Sequence, residues 1–344
     1  MQLPNSTNSE QQIAGLDSSS WARKMNDDIV SALTVDVEDY FQVSGFEAVV
    51  SPASWGSFES RVERNTDRLL DILADARVIA TFFILGWTAE RFPQLVRRIQ
   101  AAGHELGSHS YAHRLVYLCS QREFREDTRR AKKVVEDISG EEVIGYRAPS
   151  FSITRKSLWA LEILAEEGFH YDSSIFPIRR DRYGIPAAPR HPFQVILRNG
   201  QPTPGASEHK RANAVLSKAI VEVPPSTIPL FRMTLPIGGG GYFRLCPPLL
   251  FHRAIGRIVE GERRPTVLYI HPWELDPQQP RFRNGSWLSR FRHYLNLEKT
   301  EKRLKSLLAR WQFTSVIDLL ARLPEIPQLS LEEIPSRASR RSLR

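Results

Sequence analysis

Short runs of β-branched and aromatic residues alternate along this chain with longer stretches of helical period, and that alternation limits its fold more than any other feature. Residues 29–41, IVSALTVDVEDYF, stay apolar until they meet a cluster of acids. A helical pattern follows over 58–76, where Val62, Leu69, Leu70, Ile72 and Leu73 fall near helical spacing. Next come the strand VIATFFIL, a helix over 89–102 ended by Gly103, and HELGSHS as a short strand entering a polar turn. A charged amphipathic helix over 122–139, the strand EVIGYRAPSF, a capped helix over 154–167 and the strand FHYDSSIFP continue the series. Strands joined by helical crossovers lie parallel. The fold class is therefore α/β. With polar chemistry gathered where strands run out, a distorted (β/α) barrel is expected, because such folds collect their active-site loops on that face.

Beyond Pro177 the pattern loosens into Pro- and Arg-rich loops, then strands return at AIVEVPPSTIPL and PTVLYIHPW. A helix over 295–311 and a last strand, FTSVIDL, close the fold. The organisation expected is a flexible leader over 1–28, whose polar composition cannot offset its ordering entropy, a barrel over 29–323, and a basic tail over 324–344. With 344 residues, 41% of them hydrophobic, the chain can bury a sizeable core. The first twenty residues have neither a basic start nor an apolar core, and the longest apolar run, 78–87, is too short to span a bilayer. A soluble protein starting on the cytoplasmic side, with no membrane span, is predicted. The net charge of +8 suits an anionic partner but selects none, so no specific nucleic-acid partner is expected. Cys119 and Cys246 read as buried, reduced thiols.

Four clusters carry candidate chemistry. His109 and His113 stand four residues apart in HSYAH, a spacing that on a helical turn brings both imidazoles to one divalent metal. Asp36, Glu38 and Asp39 crowd the end of an apolar strand, where a cation would relieve the cost of ionising them together. Arg147, in GYRAPS at another strand end, can hold a carboxylate charged and oriented. His271 follows the strand LYI directly, a position for a proton donor with a pKa near neutrality.

The ordered set TVDVED, HSYAH, YRAP and YIHP, running from about Leu33 to Trp273, resembles the polysaccharide deacetylase family built on the NodB homology domain, carbohydrate esterase family 4. DVEDYF, YDSSIFP, GGGGYFRLCP and HPWE resemble most closely the deacetylases of exosortase/PEP-CTERM exopolysaccharide loci, and the region from about Gly205 is similar to the C-terminal extension of that subgroup. The resemblance implies a divalent metal, usually zinc, on His109, His113 and one acid, either Glu38 or Asp39. It also implies Asp36 as base, Arg147 orienting it, a backbone N–H near Ser150 for the oxyanion, and His271 as the acid that protonates the departing amine. Pro149, Ser150 and Trp273 would line a cleft for an N-acetylated glycan.

The chain departs from the family pattern in places. Val37 follows Asp36 where two adjacent aspartates are usual, and Ser150 replaces a tyrosine. The Asp-Trp motif whose acid orients the histidine is missing, leaving Asp172 or Glu222 as candidates for that role. The run Gly238–Gly241 lacks the Lys-Ser or Lys-Thr of a phosphate loop and reads as a loop packed against the sugar site. RFRNGSWLSRFRHY interleaves arginines with aromatics, a pattern suited to pyranose rings or an acidic glycan. Two other readings of the whole are a metal-barrel amidohydrolase for small cyclic amides and a catalytically silent glycan-binding protein.

Overall fold

Every residue of β1 (Ser31–Val37) is buried, as expected of a strand covered on both faces. Its odd positions, Leu33, Val35 and Val37, join the large apolar cluster, while Ala32 packs in a separate cluster with Phe83, Tyr171 and Val267. A computed structural model describes residues 29–180, 183–197, 219–231 and 233–334. The leader expected over 1–28 lies outside them, as do residues 335–344 of the expected tail.

The remaining strands are β2 (Thr81–Ile84), β3 (Glu105–Ser108), β4 (Gly145–Tyr146), β5 (Tyr171–Asp172), β6 (Phe193–Ile196), β7 (Ala219–Glu222), β8 (Thr227–Leu230), β9 (Met233–Pro236), β10 (Val267–Ile270), β11 (Phe313–Thr314) and β12 (Gln328–Ser330). Ten of them form one sheet in the order β10-β1-β2-β3-β4-β5-β7-β6-β12, with β11 also on β1, while β8 and β9 make a separate hairpin. All pairings in the large sheet are parallel except β6 with β7. Because Ser226, after β7, donates to the Val267 carbonyl of β10, the sheet curls back on itself. The result is a mixed α/β fold in the form of a distorted, open barrel.

The four glycines do not form a phosphate loop. Gly239 bridges Tyr269 of β10 in parallel, and a Cβ there would stand 1.8 Å from the Tyr269 oxygen. Its φ of +142° is also open only to glycine. The run lets the chain lie against β10.

Several elements differ from expectation. The helix expected over 89–102 is two, Gly86–Arg91 and Pro93–Ala101, because Pro93 cannot continue the first. FTSVIDL is a strand for two residues only. Ser315 then caps a helix, Val316–Arg322, by accepting from the Asp318 amide. Residues placed in the tail include β12, which pairs with β6, and the buried Leu331 and Ile334. Both cysteines are half-buried rather than buried.

Asp172 and Glu222 are register partners on β5 and β7, fully buried. Neither touches His271, so neither takes the orienting role expected of one of them. Burial pushes Asp172 up to about 6 and Glu222 well above the usual carboxyl range, the Asp172 charge adding to the second shift. Asp172 Oδ2 and Glu222 Oε2 have no other partner, and one proton shared between them resolves both. A pair with raised folded pKa values binds more protons folded than unfolded, so stability falls as pH rises from the ordinary carboxyl range through those values. Glu222→Gln, which keeps an acceptor for the Ile175 amide, should raise the urea midpoint at neutral pH and flatten this decline. A midpoint unchanged at neutral pH would count against the shared proton.

Candidate active site

The C-terminal ends of β1, β3, β4 and β10 bring the predicted residues to one place. Glu38, His109 and His113 are all buried, and each offers a ligand atom within 4.8 Å of the other two. His109 reaches the Arg147 carbonyl with Nδ1 at 2.9 Å, an arrangement that leaves Nε2 as the lone-pair atom. Burial holds its pKa down to about 4 and keeps the ring neutral, as a ligand must be. Glu38 Oε2 lies 3.2 Å from His113 Nε2, yet makes no directed hydrogen bond. Burial would raise Glu38, but the imidazoles of His113 and His271 beside it win and hold it far below the carboxylate range. His113 is correspondingly raised: burial opposes its charge, and Glu38 more than compensates. Two imidazoles and a carboxylate with an orphan oxygen, their ligand atoms all within 4.8 Å of one another, fit a divalent cation.

The histidines do not converge on a helical turn. HSYAH is an irregular loop in which Ser110 and His113 both have positive φ, 62° and 53°. The loop is held by Asp127, whose carboxylate accepts from the amides of Tyr111 and Ala112. Sequence reasoning passed over Asp127 because it lies on the charged helix Gln121–Ser139, where an acid looks like solvent-facing surface.

Asp39 turns away from the trio. Its Oδ2 accepts from Ser60 Oγ at 2.7 Å and from the amides of Arg61 and Val62 at 2.8 and 3.1 Å, which caps the helix Val62–Ala76. Of the two acids left open, the structure places Glu38 with the histidines. Asp39→Ala should therefore cost roughly 0.5–2 kcal/mol of stability, as lost caps do, without weakening Zn²⁺ binding. Glu38→Ala should lose Zn²⁺ in the same calorimetric titration, and a reversed pattern would reassign the ligand.

Arg147 is fully buried and donates to Asp36 Oδ1 at 2.7 Å, Thr34 Oγ1 at 2.6 Å, Ser173 Oγ at 2.8 Å and the Ser173 carbonyl at 3.2 Å. Asp36 Oδ2 remains free of it and faces His271 Nε2 at 3.8 Å. That separation is beyond a hydrogen bond.

His271 is held from behind by a residue the sequence reading missed. Glu274 Oε1 takes His271 Nδ1 at 2.7 Å and the His271 amide at 3.1 Å, while its Oε2 takes Arg244 Nε at 2.6 Å. Glu274 is pulled down to about 2: burial opposes its charge, and the Arg244 guanidinium with His271 outweighs it. His271 is pushed up to about 10 rather than lying near neutrality, because hydrogen bonds to Glu274 and Glu38 overcome its burial. The signal was the i, i+3 spacing in HPWE, a turn in which the acid reaches back to the first residue.

Trp273 does not present a free face to substrate. It is 4% exposed and lies between His271 and His293, with centroids at 5.1 and 4.2 Å. Pro149 is buried, and Ser150, with φ 51°, bonds Ser44 Oγ at 2.6 Å. The Phe151 and Ser152 amides are used by the Ala148 and Pro149 carbonyls, so an oxyanion donor in this stretch would have to be the amide of Ser150.

Fold and site together define an open, mostly parallel barrel whose strand ends gather a two-histidine, one-carboxylate cluster beside an Asp-Arg pair and a histidine backed by Glu274. Residues 51–169 match the family model for polysaccharide deacetylase, and residues 173–321 match a domain of unknown function (DUF3473). That match to the polysaccharide deacetylase model spans about a third of the chain, and this part of it is similar to that family. The Bacillus cereus peptidoglycan-N-acetylglucosamine deacetylase is 35% identical over 98 residues, 28% of this chain and 36% of that protein. The chain thus spans about a third of the length of that curated relative. A crystal structure of a candidate polysaccharide deacetylase from Mycobacterium smegmatis superposes with a TM-score of 0.50 at 20% identity, covering 86% of this chain and 90% of that one. Puue allantoinase gives a TM-score of 0.50 at 16% identity, covering 85% and 88%. These two likenesses concern the fold alone.

Proposed function

We propose that this chain hydrolyses the N-acetyl groups of a bacterial exopolysaccharide or its precursor. The observation that carries the reading is the convergence of three groups on one point: the Glu38, His109, His113 trio, Asp36 held by Arg147, and His271 held by Glu274. The relative named for N-acetylglucosamine deacetylation supports the bond type. The exopolysaccharide setting, and kinship with the exosortase/PEP-CTERM group, rest on DVEDYF, YDSSIFP, GGGGYFRLCP and HPWE.

A divalent cation, Zn²⁺ by preference for this donor set, would be held by Glu38, His109 and His113 and would act as a Lewis acid toward the acetyl carbonyl. Asp36, bonded by Arg147 on Oδ1, has Oδ2 free to take a proton from the attacking water. His271 then gives a proton to the amide nitrogen as the C–N bond breaks, because an unprotonated amide anion is too basic to leave. Acetate and a free amine result.

Purified protein with Zn²⁺ should release acetate from N-acetylglucosamine oligomers, and Asp36→Asn or His109→Ala should abolish the release. Activity surviving both substitutions would overturn the reading. A small cyclic ureide is the control substrate, and glycan binding without acetate would mark a silent binding protein.

A further inference from the structure

The segment RFRNGSWLSRFRHY has no part in the chemistry above. Residues 277–297 contain no Asp or Glu, while Arg281, Arg283, Arg290 and Arg292 are all exposed. None of the four has a carboxylate partner among the described residues, and Arg281 lies over the Tyr294 ring instead. Some arginines elsewhere on the surface are ion-paired, Arg125 and Arg129 with Glu167 and Arg130 with Glu90 among them. Four exposed arginines in an acid-free run concentrate positive charge here.

The helix Trp287–Tyr294 also exposes its apolar side chains: Trp287 is 74%, Leu288 45% and Phe291 44% accessible. At about 100° per residue, Trp287, Phe291 and Leu288 fall near 0°, 40° and 100°, with Arg290 near −60° and Arg292 near 140°. The apolar wedge is thus bordered by a cation on either side. His293, near 240° on the same wheel, is the seated face, buried and stacked on Trp273.

We infer that this helix docks the protein on an anionic lipid surface, with Trp287, Leu288 and Phe291 entering the headgroup boundary and Arg283, Arg290 and Arg292 meeting lipid phosphates. An apolar face flanked by arginines is the pattern of helices that lie in such an interface. A glycan fits less well, since sugar sites are concave. Here a convex helix carries a leucine within its apolar face, and Trp287 and Phe291 stack on each other at 5.5 Å. No helix among the described residues is long and apolar enough to cross a membrane, so the contact is with the surface. On the deacetylase reading, which this step alone uses, the His271–Trp273–His293 stack sets the reaction about one helix diameter, roughly 10 Å, from the bilayer. The substrate is then a glycan still carried on lipid.

The full chain should co-sediment with vesicles of phosphatidylcholine and phosphatidylglycerol, less so at high salt, and not with phosphatidylcholine alone. Both Trp287→Ser/Phe291→Ser and Arg290→Glu/Arg292→Glu should cut the bound fraction about tenfold with unchanged melting temperature. Trp287→Phe should still bind. The inference is overturned if the wild type ignores phosphatidylglycerol, if both double variants bind as it does, or if soluble polygalacturonate is held equally through the same residues. Acetate release from soluble oligomers, followed in parallel, should not change in these variants. Its absence from the wild type would strike the reaction and leave the docking standing.

Discussion

Glu274→Gln should lower acetate release about 10²–10⁴-fold, the contribution of a positioned general acid, while leaving the protein folded. The carboxylate serves two donors at once, His271 Nδ1 at 2.7 Å and Arg244 Nε at 2.6 Å, and is fully buried. A glutamine has one acceptor oxygen for these two demands. With that oxygen turned to Arg244, the amide NH₂ faces Nδ1, which must then be unprotonated. The ring becomes neutral with its proton on Nε2, and the charged acid is lost. The pH dependence provides the check. A histidine raised by its partners acts as an acid below its folded pKa and stops as pH rises through it. Removing the Glu274 charge should therefore move the alkaline limb of kcat/KM to lower pH, because Glu274 raises His271. An unchanged limb with full activity would remove Glu274 from the reaction.

The parts of this site that were legible in the sequence are those written locally. β1 ending in acids, YRAP after β4 and YIHP after β10 each place a polar residue at the end of a buried strand, so the common face of the barrel follows from topology. Residues whose role depends on a distant partner were not legible. Asp39 and Glu38 are neighbours in an acidic run, and only the position of the helix beginning at Val62 decides that Asp39 is its cap. Arg244 lies 30 positions from Glu274 in a stretch dominated by glycines, and nothing local announces that it is buried. The HSYAH spacing paired two histidines that do lie together, but for a wrong reason. Tertiary hydrogen bonds to Asp127 hold a left-handed loop where the spacing alone suggested a helical turn. In FTSVIDL the β-like composition yields to the Ser315 cap, a single side-chain hydrogen bond.

Arg147→Met should destabilise the fold by about 3–5 kcal/mol, the cost of leaving one member of a buried ion pair without its counter-charge. The guanidinium is fully buried, lies 4.3 Å from the Phe83 ring centroid, and spends its donors on Asp36, Thr34 and both oxygens of Ser173. Methionine fills much of the volume but supplies no donor, so the buried Asp36 carboxylate loses its counter-charge. A second substitution separates these costs. Asp36→Leu on the Arg147→Met background removes the orphaned carboxylate, and much of the lost stability should return, because a buried pair exchanged for apolar groups is often neutral or better. The coupling between the two positions, read from urea unfolding of both single variants and the double, should lie at the upper end of the roughly 0.5–3 kcal/mol seen for contacting residues. Acetate release should stay absent in the double variant despite its recovered stability. That dissociation is the expected mark of an ion pair retained for chemistry. Additive losses in the cycle would instead make Arg147 a packing residue and leave Asp36 to be oriented by other groups.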